Sequence, residues 1–568
     1  MRRDIADSEV LGLDAHEGNG RAAAGCLVAV MSLLPFEPRR PALLLPGFEI
    51  TLLELVAALS LAALAWTGRR RLPLLLRSRP WPLLLLGAYA ATHLLSAAFA
   101  PTHGALALKF SLRMLAMAAF AATVAAAPLP AHRKGLLALC VSAGVVAVLA
   151  VLEGLGVRAL DPFLGLFREM PFNVAGSRRA SAGSEYPNLA AAIILYGLMA
   201  GVALAAGLRR RLGAVLAGSL LASGGLLFTY SRGALVAAAL GLLCLAAALH
   251  SRRAAVRLPL LAVLVLAVSS TAFAWHGEIF RLRLGSEGTG AWYAATYEAG
   301  EAALRFAPGE ERMTSVRVTN TGRKTWAVAE SFHLSYHWYD VERRFLTDGA
   351  RTLLPRDVRS GESVALDALV RAPAKEGRYL LAWDMVHERT TWFSGQGVTP
   401  ATVTVVVSPR AATAAGPQAA AVPGASLAWQ PSRAELWRIA LALWRERPLT
   451  GVGSDNFRWL HGPKAGQPFW DSRVFANNTL LEAAATTGTL GLLALGGSLA
   501  ATLIRALRRV KATDPWTLAG REAAGLLALA AALAAHGAVD YVLAFTGHYL
   551  LFGFVVGAVS APAAEVAA

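Results

Sequence analysis

Apolar residues in this chain gather into long blocks broken by short polar connections, and the blocks approach the roughly 20 residues that a helix needs to cross a bilayer. Candidate spans lie at 22–36, 47–66, 80–99, 105–127, 135–155, 186–206, 212–229, 233–249, 257–275, 478–504, 518–536 and 541–560. The pattern predicts about twelve transmembrane helices, or eleven without the first, which is the shortest. Basic residues concentrate in alternate connections: Arg69-Arg70-Arg71 with Arg77 and Arg79, His132-Arg133-Lys134, Arg209-Arg210-Arg211, Arg252-Arg253 with Arg257, and Arg505, Arg508, Arg509 and Lys511. Lys and Arg mark the cytoplasmic side of short loops. The connections at 37–46, 100–104, 156–185, 230–232, 276–477 and 537–540 then face the opposite side, and both termini are cytoplasmic. Only Arg39 and Arg40 run against this scheme.

The connection of about 200 residues between 276 and 477 is too long to lack structure of its own. Stretches such as Ser315–Val318, Phe332–Trp338, Ser363–Leu366, Tyr379–Trp383 and Val403–Val407 are rich in β-branched and aromatic residues and are separated by Gly, Pro, Asn and Asp. That spacing predicts an inserted all-β sandwich over about 308–409. Through Asn320-Thr321-Gly322 with Trp326, Trp338-Tyr339-Asp340, and Asp384-Met385-Val386 with Trp392-Phe393, the segment resembles the immunoglobulin-like or fibronectin-like accessory modules of bacterial surface proteins. Its aromatics, Trp326, Tyr336, Trp338, Trp383 and Trp392, fit either a packed core or sugar stacking, and core packing is the favoured reading. An Ala-, Pro- and Gly-rich linker, 410–426, leads to a helix over 433–447 whose apolar stripe of Leu436, Ile439, Ala440 and Leu443 suits a membrane surface. The chain thus divides into a membrane domain of about nine helices (1–275), the loop with its β insert (276–432), an amphipathic helix and site loop (433–477), and about three further helices (478–568). The fold class is an all-α polytopic membrane protein with an all-β insertion.

Composition agrees. Hydrophobic residues make up 55% of the 568 positions and charged ones 16%, against about 25% charged in soluble domains. The mean hydropathy is +0.48. The net charge of +17 sits in the short clusters that set orientation, so no nucleic-acid partner is expected. Cys26, Cys140 and Cys244 lie in apolar runs and form neither a disulfide framework nor a metal cluster. Residues 1–20 lack the apolar run of a cleavable signal, so insertion is expected to rest on the helices themselves.

Candidate chemistry lies on the side opposite the basic clusters. Arg178 and Arg179 precede Tyr186-Pro187-Asn188, where a helix begins, and Ser231-Arg232-Gly233 forms a turn between two spans. Guanidinium forks bind phosphate oxygens in pairs, and charges at membrane depth mark substrate paths, although helix capping and head-group contact would also place arginines here. A third element runs from Arg447-Pro448-Leu449-Thr450-Gly451-Val452-Gly453-Ser454-Asp455-Asn456-Phe457 to Asn477-Asn478-Thr479-Leu480-Leu481-Glu482 and Gly488-Thr489-Leu490-Gly491.

With the two arginine elements, these motifs resemble the O-antigen ligase and polymerase superfamily of bacterial membrane glycosyltransferases, over most of the chain outside the β insert. The resemblance implies a multi-pass inner-membrane enzyme that needs no metal or cofactor. A glycan on undecaprenyl diphosphate would pass at the periplasmic face to an acceptor hydroxyl on a glycan, lipid A-core or protein. Arg179 and Arg232 would stabilise the leaving diphosphate, with Arg178, Tyr186, Asn188, Ser231 and Asn478 as binding residues. In one respect the chain departs from the family. A histidine credited with activating the acceptor is replaced by Asn477, whose amide hydrogen-bonds but is no general base near neutral pH. Glu482, His536 and Asp540 are the substitutes within reach of that side, each also readable as an interhelical hydrogen-bonding or capping group. Two other readings stay open: a protein O-oligosaccharyltransferase, differing in acceptor, and a non-catalytic or transport-type membrane protein with a glycan-binding loop domain.

Overall fold

The computed structural model describes residues 20–45, 48–168, 172–174, 177–205, 212–249, 292–300, 303–341, 345–388, 391–394, 398–409, 431–467, 470, 472–514 and 517–562. Among them, six helices are long and apolar enough to cross a membrane: Trp81–Ala98, Gly104–Ala126, Leu129–Gly154, Pro187–Leu204, Thr479–Ala512 and Leu518–Gly537. Shorter apolar helices occupy Gly20–Leu33, Leu52–Gly68, Ala217–Thr229, Arg232–Ala248 and Thr546–Ser560. The predicted span at 257–275 lies outside the described residues. Two predicted spans start late. A hairpin of Leu43–Leu45 and Phe48–Ile50 precedes the helix at Leu52, where Thr51 and Glu54 form a capping box. The last helix begins at Thr546 rather than 541.

The helices pack in a non-sequential order. Thr479–Ala512 lies against Trp81–Ala98 and Leu518–Gly537, while Pro187–Ala205 is wrapped by Leu129–Gly154, Leu212–Thr229 and Leu518–Gly537. Lipid offers no hydrophobic drive between helices, so close contact rests on small residues. Gly197 meets Ala143 and the Leu139 carbonyl, and Gly557 meets the Ala121 carbonyl, both at distances that leave no room for a Cβ.

Among the described residues, connections poor in basic clusters meet one another, and so do those that carry them. At one end the Arg39 amide donates to Leu166 O (2.9 Å), Ala180 N to Phe228 O (2.8 Å), Asn456 Nδ2 to Thr102 O (2.7 Å) and Asn478 Nδ2 to Ala538 O (2.8 Å). At the other end Arg133 pairs with Glu522, Arg505 donates to Val559 O (3.0 Å) and Arg509 to Ala558 O (2.8 Å), while Gly68 packs beside Ala126.

Among the described residues the first strand of the β region is Ala295–Ala299, earlier than position 308. One sheet orders its strands Thr352–Leu353, Phe332–Tyr339, Gly377–His387, Ala401–Val407 and Ala303–Phe306, with Phe345–Asp348 and Thr391–Trp392 added at its flanks. The other contains Ser363–Arg371, Glu311–Asn320 and Ala295–Ala299. Burial alternates residue by residue along Glu311–Asn320 and Ser363–Arg371, as a strand with one covered face requires. Both sheets feed one apolar core that includes Trp326, Tyr336, Trp338 and Trp383, each at most 2% exposed. Those four aromatics are core residues. Trp392 instead lies on the flank, with Arg351 over its ring and His337 beside it.

Candidate functional site

The segment from Arg433 to Gly491 is built around a broken helix. Gly488 adopts φ 70°, ψ −166° inside Thr479–Ala512, a backbone region that non-glycine residues avoid, and it interrupts the helical ladder. Backbone groups freed at membrane depth need new partners. The Pro448–Gly453 loop supplies them: Val452 N donates to Ala485 O (2.9 Å), Gly453 N to Thr486 O (3.2 Å), and Thr489 N to Pro448 O (2.7 Å). Ser96 Oγ also donates to Thr486 O (2.5 Å). The two chains touch so closely that a Cβ on Gly451 would stand 2.3 Å from the Thr486 carbonyl carbon, and one on Gly488 2.3 Å from that of Leu449. The glycines of both motifs are therefore two sides of one contact.

The helix Arg433–Glu446 packs on the same construction. Its apolar stripe, expected on a membrane surface, is buried with Phe457, Ala476 and Ala485. The Thr479–Ala512 helix takes the place of lipid because the loop behind the stripe folds back over it.

Beyond the break the loop turns into a cavity of about 320 Å³ at the end opposite the basic clusters. Asp455, at φ 62°, receives Nε and Nη2 of Arg458 at 2.7–2.9 Å. Burial raises the Asp455 carboxyl above the usual carboxylate range, while the Arg458 fork opposes that shift. Arg113, whose Nε donates to Glu54 (2.8 Å), borders the same space, as do Arg39, Arg473, Glu37 and His548. Tyr186 is the predicted binding residue on this wall, its ring 5.7 Å from Phe545.

The remaining candidates gather beyond that aromatic wall. Arg179 donates from Nε to Thr229 O (3.0 Å) and from Nη2 to Asn188 Oδ1 (3.1 Å), which brings it to the turn that carries Ser231 and Arg232. Asn188 donates in turn to Asp540 (2.8 Å), whose other oxygen accepts from Tyr541 N (2.8 Å). A Cβ on Gly233 would meet Val539 and His536, so the Arg232 turn abuts the 536–540 segment. Asn478 caps its helix by accepting from Leu480 N and Leu481 N, and Thr479 Oγ1 reaches Asp540 O (3.1 Å). Asn477, half-buried, has a left-handed backbone, φ 50°. Ser231 is buried and its side chain does not cap the helix it precedes. Glu482 is buried, with Oε2 accepting from Ala476 N (2.7 Å). Arg178 lies 2.8 Å from Asp161 and 3.7 Å from Glu153, a task in holding its loop.

Sequence reasoning missed the anchor of that loop. Glu153, fully buried, accepts from Ser181 N and Ala182 N at 3.0 Å each and pairs with Arg168, which also reaches Ser181. It missed Glu37, Arg113 and Arg458 as well. The available signal was charge inside apolar blocks: Arg113, with Lys109, and Glu153 interrupt two largely apolar spans, and such residues face a cavity or a partner.

A multi-pass helical membrane protein with an arginine-bordered polar cavity at one end, closed by a loop crossing a broken helix, is the class that fold and site define. Residues 390–496 match the family model described as O-antigen ligase. The match takes in the crossing loop, the arginines Arg458 and Arg473 and the start of the broken helix, and it supports the O-antigen ligase superfamily of membrane glycosyltransferases as the family this chain resembles. No curated protein matches the chain.

Proposed function

We propose that the chain transfers a glycan from undecaprenyl diphosphate to an acceptor hydroxyl at the periplasmic face of the inner membrane. The observation that carries this reading is the O-antigen ligase match at residues 390–496, the same stretch that contributes Asp455, Arg458 and Arg473 to the cavity. When the bond between the sugar and the diphosphate breaks, negative charge grows on the leaving group. Fixed guanidinium groups in a water-poor site stabilise that charge without reorganising. Arg179 and Arg232 are our candidates for this work, and their adjacency through Thr229 supports the assignment. Asn477 would hold the acceptor hydroxyl through its amide oxygen, with Asn478 and Glu482 shaping that side. We read the five shorter apolar helices and the 257–275 block as further spans, and the β region as an immunoglobulin-type accessory sandwich.

The test is reconstitution of the purified full-length chain with an undecaprenyl-linked saccharide and candidate lipid, glycan and protein acceptors. Transfer by the wild type, reduced in Arg232→Lys because lysine lacks the planar fork, is the expected result. The reading falls if no acceptor is modified while a histidine-containing relative works alongside.

A further inference from the structure

We propose that Asp540 is a positioning residue that acts through Asn188 to hold Arg179 toward the leaving diphosphate, a role that rests on the transfer reaction just proposed. The three side chains come from separate segments. Arg179 ends the strand Ser177–Arg179, Asn188 lies in the first turn of Pro187–Ala205, and Asp540 follows Leu518–Gly537. The two helices pack against each other, which closes a chain from Arg179 Nη2 to Asn188 Oδ1 (3.1 Å) and from Asn188 Nδ2 to Asp540 Oδ2 (2.8 Å).

The direction of these bonds is forced. A guanidinium only donates and a carboxylate only accepts, so the amide between them has one orientation, oxygen toward Arg179 and nitrogen toward Asp540. Asp540 is fixed in its turn, because its Oδ1 accepts from Tyr541 N (2.8 Å) and the residue is buried. Arg179 is thereby held at two points, by Asn188 and by Thr229 O (3.0 Å), and Thr229 leads into the turn that carries Ser231 and Arg232. A guanidinium fixed in place before the donor arrives stabilises the developing charge without reorganising. The acceptor turn, by contrast, is held by main-chain oxygens of the same segment: Thr479 Oγ1 donates to Asp540 O (3.1 Å) and Asn478 Nδ2 to Ala538 O (2.8 Å). An exchange of the Asp540 side chain therefore perturbs donor binding and spares the acceptor turn.

The hydrogen-bond polarity says what each exchange does. In Asp540→Asn, Tyr541 N keeps the new amide oxygen, so the amide nitrogen faces Asn188. Asn188 must then turn its oxygen toward position 540 and present an N–H to Arg179, donor against donor. Exchanging both residues, Asn188→Asp with Asp540→Asn, restores the direction. The amide at 540 donates to the carboxylate at 188, which accepts from Arg179.

The experiment measures undecaprenyl diphosphate binding, and the donor and acceptor KM of transfer, in the reconstituted full-length protein. Asp540→Asn should bind undecaprenyl diphosphate about tenfold more weakly, the worth of one hydrogen bond to a charged group, with the acceptor KM unchanged. The double exchange should return to within about threefold of wild type, and Asp540→Asn should add nothing in an Arg179→Ala background. Unchanged donor binding in Asp540→Asn, a further loss in the Arg179→Ala background, or a double exchange as weak as Asp540→Asn overturns the assignment while the transferase reading stands. A loss confined to the acceptor KM does the same. If neither Asp540→Asn nor the double exchange stays monodisperse in detergent, Asp540 is structural and the assignment falls too. Equal binding of undecaprenyl diphosphate by wild type and Arg179→Ala removes the donor role of Arg179 and this inference with it. A wild type that binds no donor lipid and modifies no acceptor removes the transferase reading as well.

Discussion

Replacing Gly488 by alanine probes the contact on which the whole site is built. Two costs add. The backbone at φ 70°, ψ −166° is open to glycine alone, and holding another residue there costs about 1–3 kcal/mol. The new methyl would stand 2.3 Å from the Leu449 carbonyl carbon, which is main chain and cannot swing aside. The loop must withdraw, and the Thr489–Pro448 and Val452–Ala485 hydrogen bonds go with it, at about 1 kcal/mol each. A loss of about 3–5 kcal/mol follows, a large part of the roughly 5–15 kcal/mol that holds a protein folded. Gly451→Ala attacks the same contact from the other chain, so the double variant should lose clearly less than the sum of the two. Thermal unfolding in detergent, followed by the fraction remaining monodisperse, reads all three variants. A Gly488→Ala midpoint within a degree of wild type, or strict additivity in the double variant, would refute the reasoning.

Other outcomes follow from the same geometry. Alkaline phosphatase fused at residue 350 should be active and fusions at 72 or 509 inactive, and the reverse would undo the orientation. Glu153→Gln should loosen the 168–184 loop, seen as faster hydrogen exchange at Ser181 and Ala182, and unchanged exchange would show that Arg168 alone suffices. In the β region, burial works against the charged form of His337, but Asp384 and Asp348 outweigh it and raise the imidazole pKa. The stabilisation is therefore full below the unfolded value of about 6.5 and is lost as pH rises through the folded one. Protection along Phe332–Tyr339 in the full chain, corrected for the base-catalysed intrinsic exchange rate, should fall as pH rises above about 6.5, and constant protection, or the same fall in His337→Gln, would contradict this.

The helices were legible because lipid imposes one rule on every span, and six of the described helices are long and apolar enough to meet it. Strands with one covered face were legible for a similar reason, as at Glu311–Asn320. The opening of the β region was hidden, since Ala303–Phe306 pairs with Ala401–Val407 about a hundred residues away and carries no local signal. The cavity was hidden by the same non-locality. Arg113, Glu37 and Arg458 come from separate segments, and only packing brings them to one space. Motif reading found Gly451 and Gly488 but not that their two segments touch.

Position 477 shows how backbone and chemistry constrain one residue together. Its φ of 50° lies in the left-handed region, where bulky and β-branched side chains are strained and Asn, Asp and His are enriched several-fold. Histidine and asparagine both tolerate that backbone, so exchanging one for the other can leave the fold intact while adding or removing a base. Asn477→His should accordingly fold as well as wild type, whereas Asn477→Val should not. If transfer rests mainly on stabilising the leaving diphosphate, the added imidazole should raise it only slightly. A gain of a hundredfold or more would instead show that the chain works with its base missing, and would return the proton to position 477.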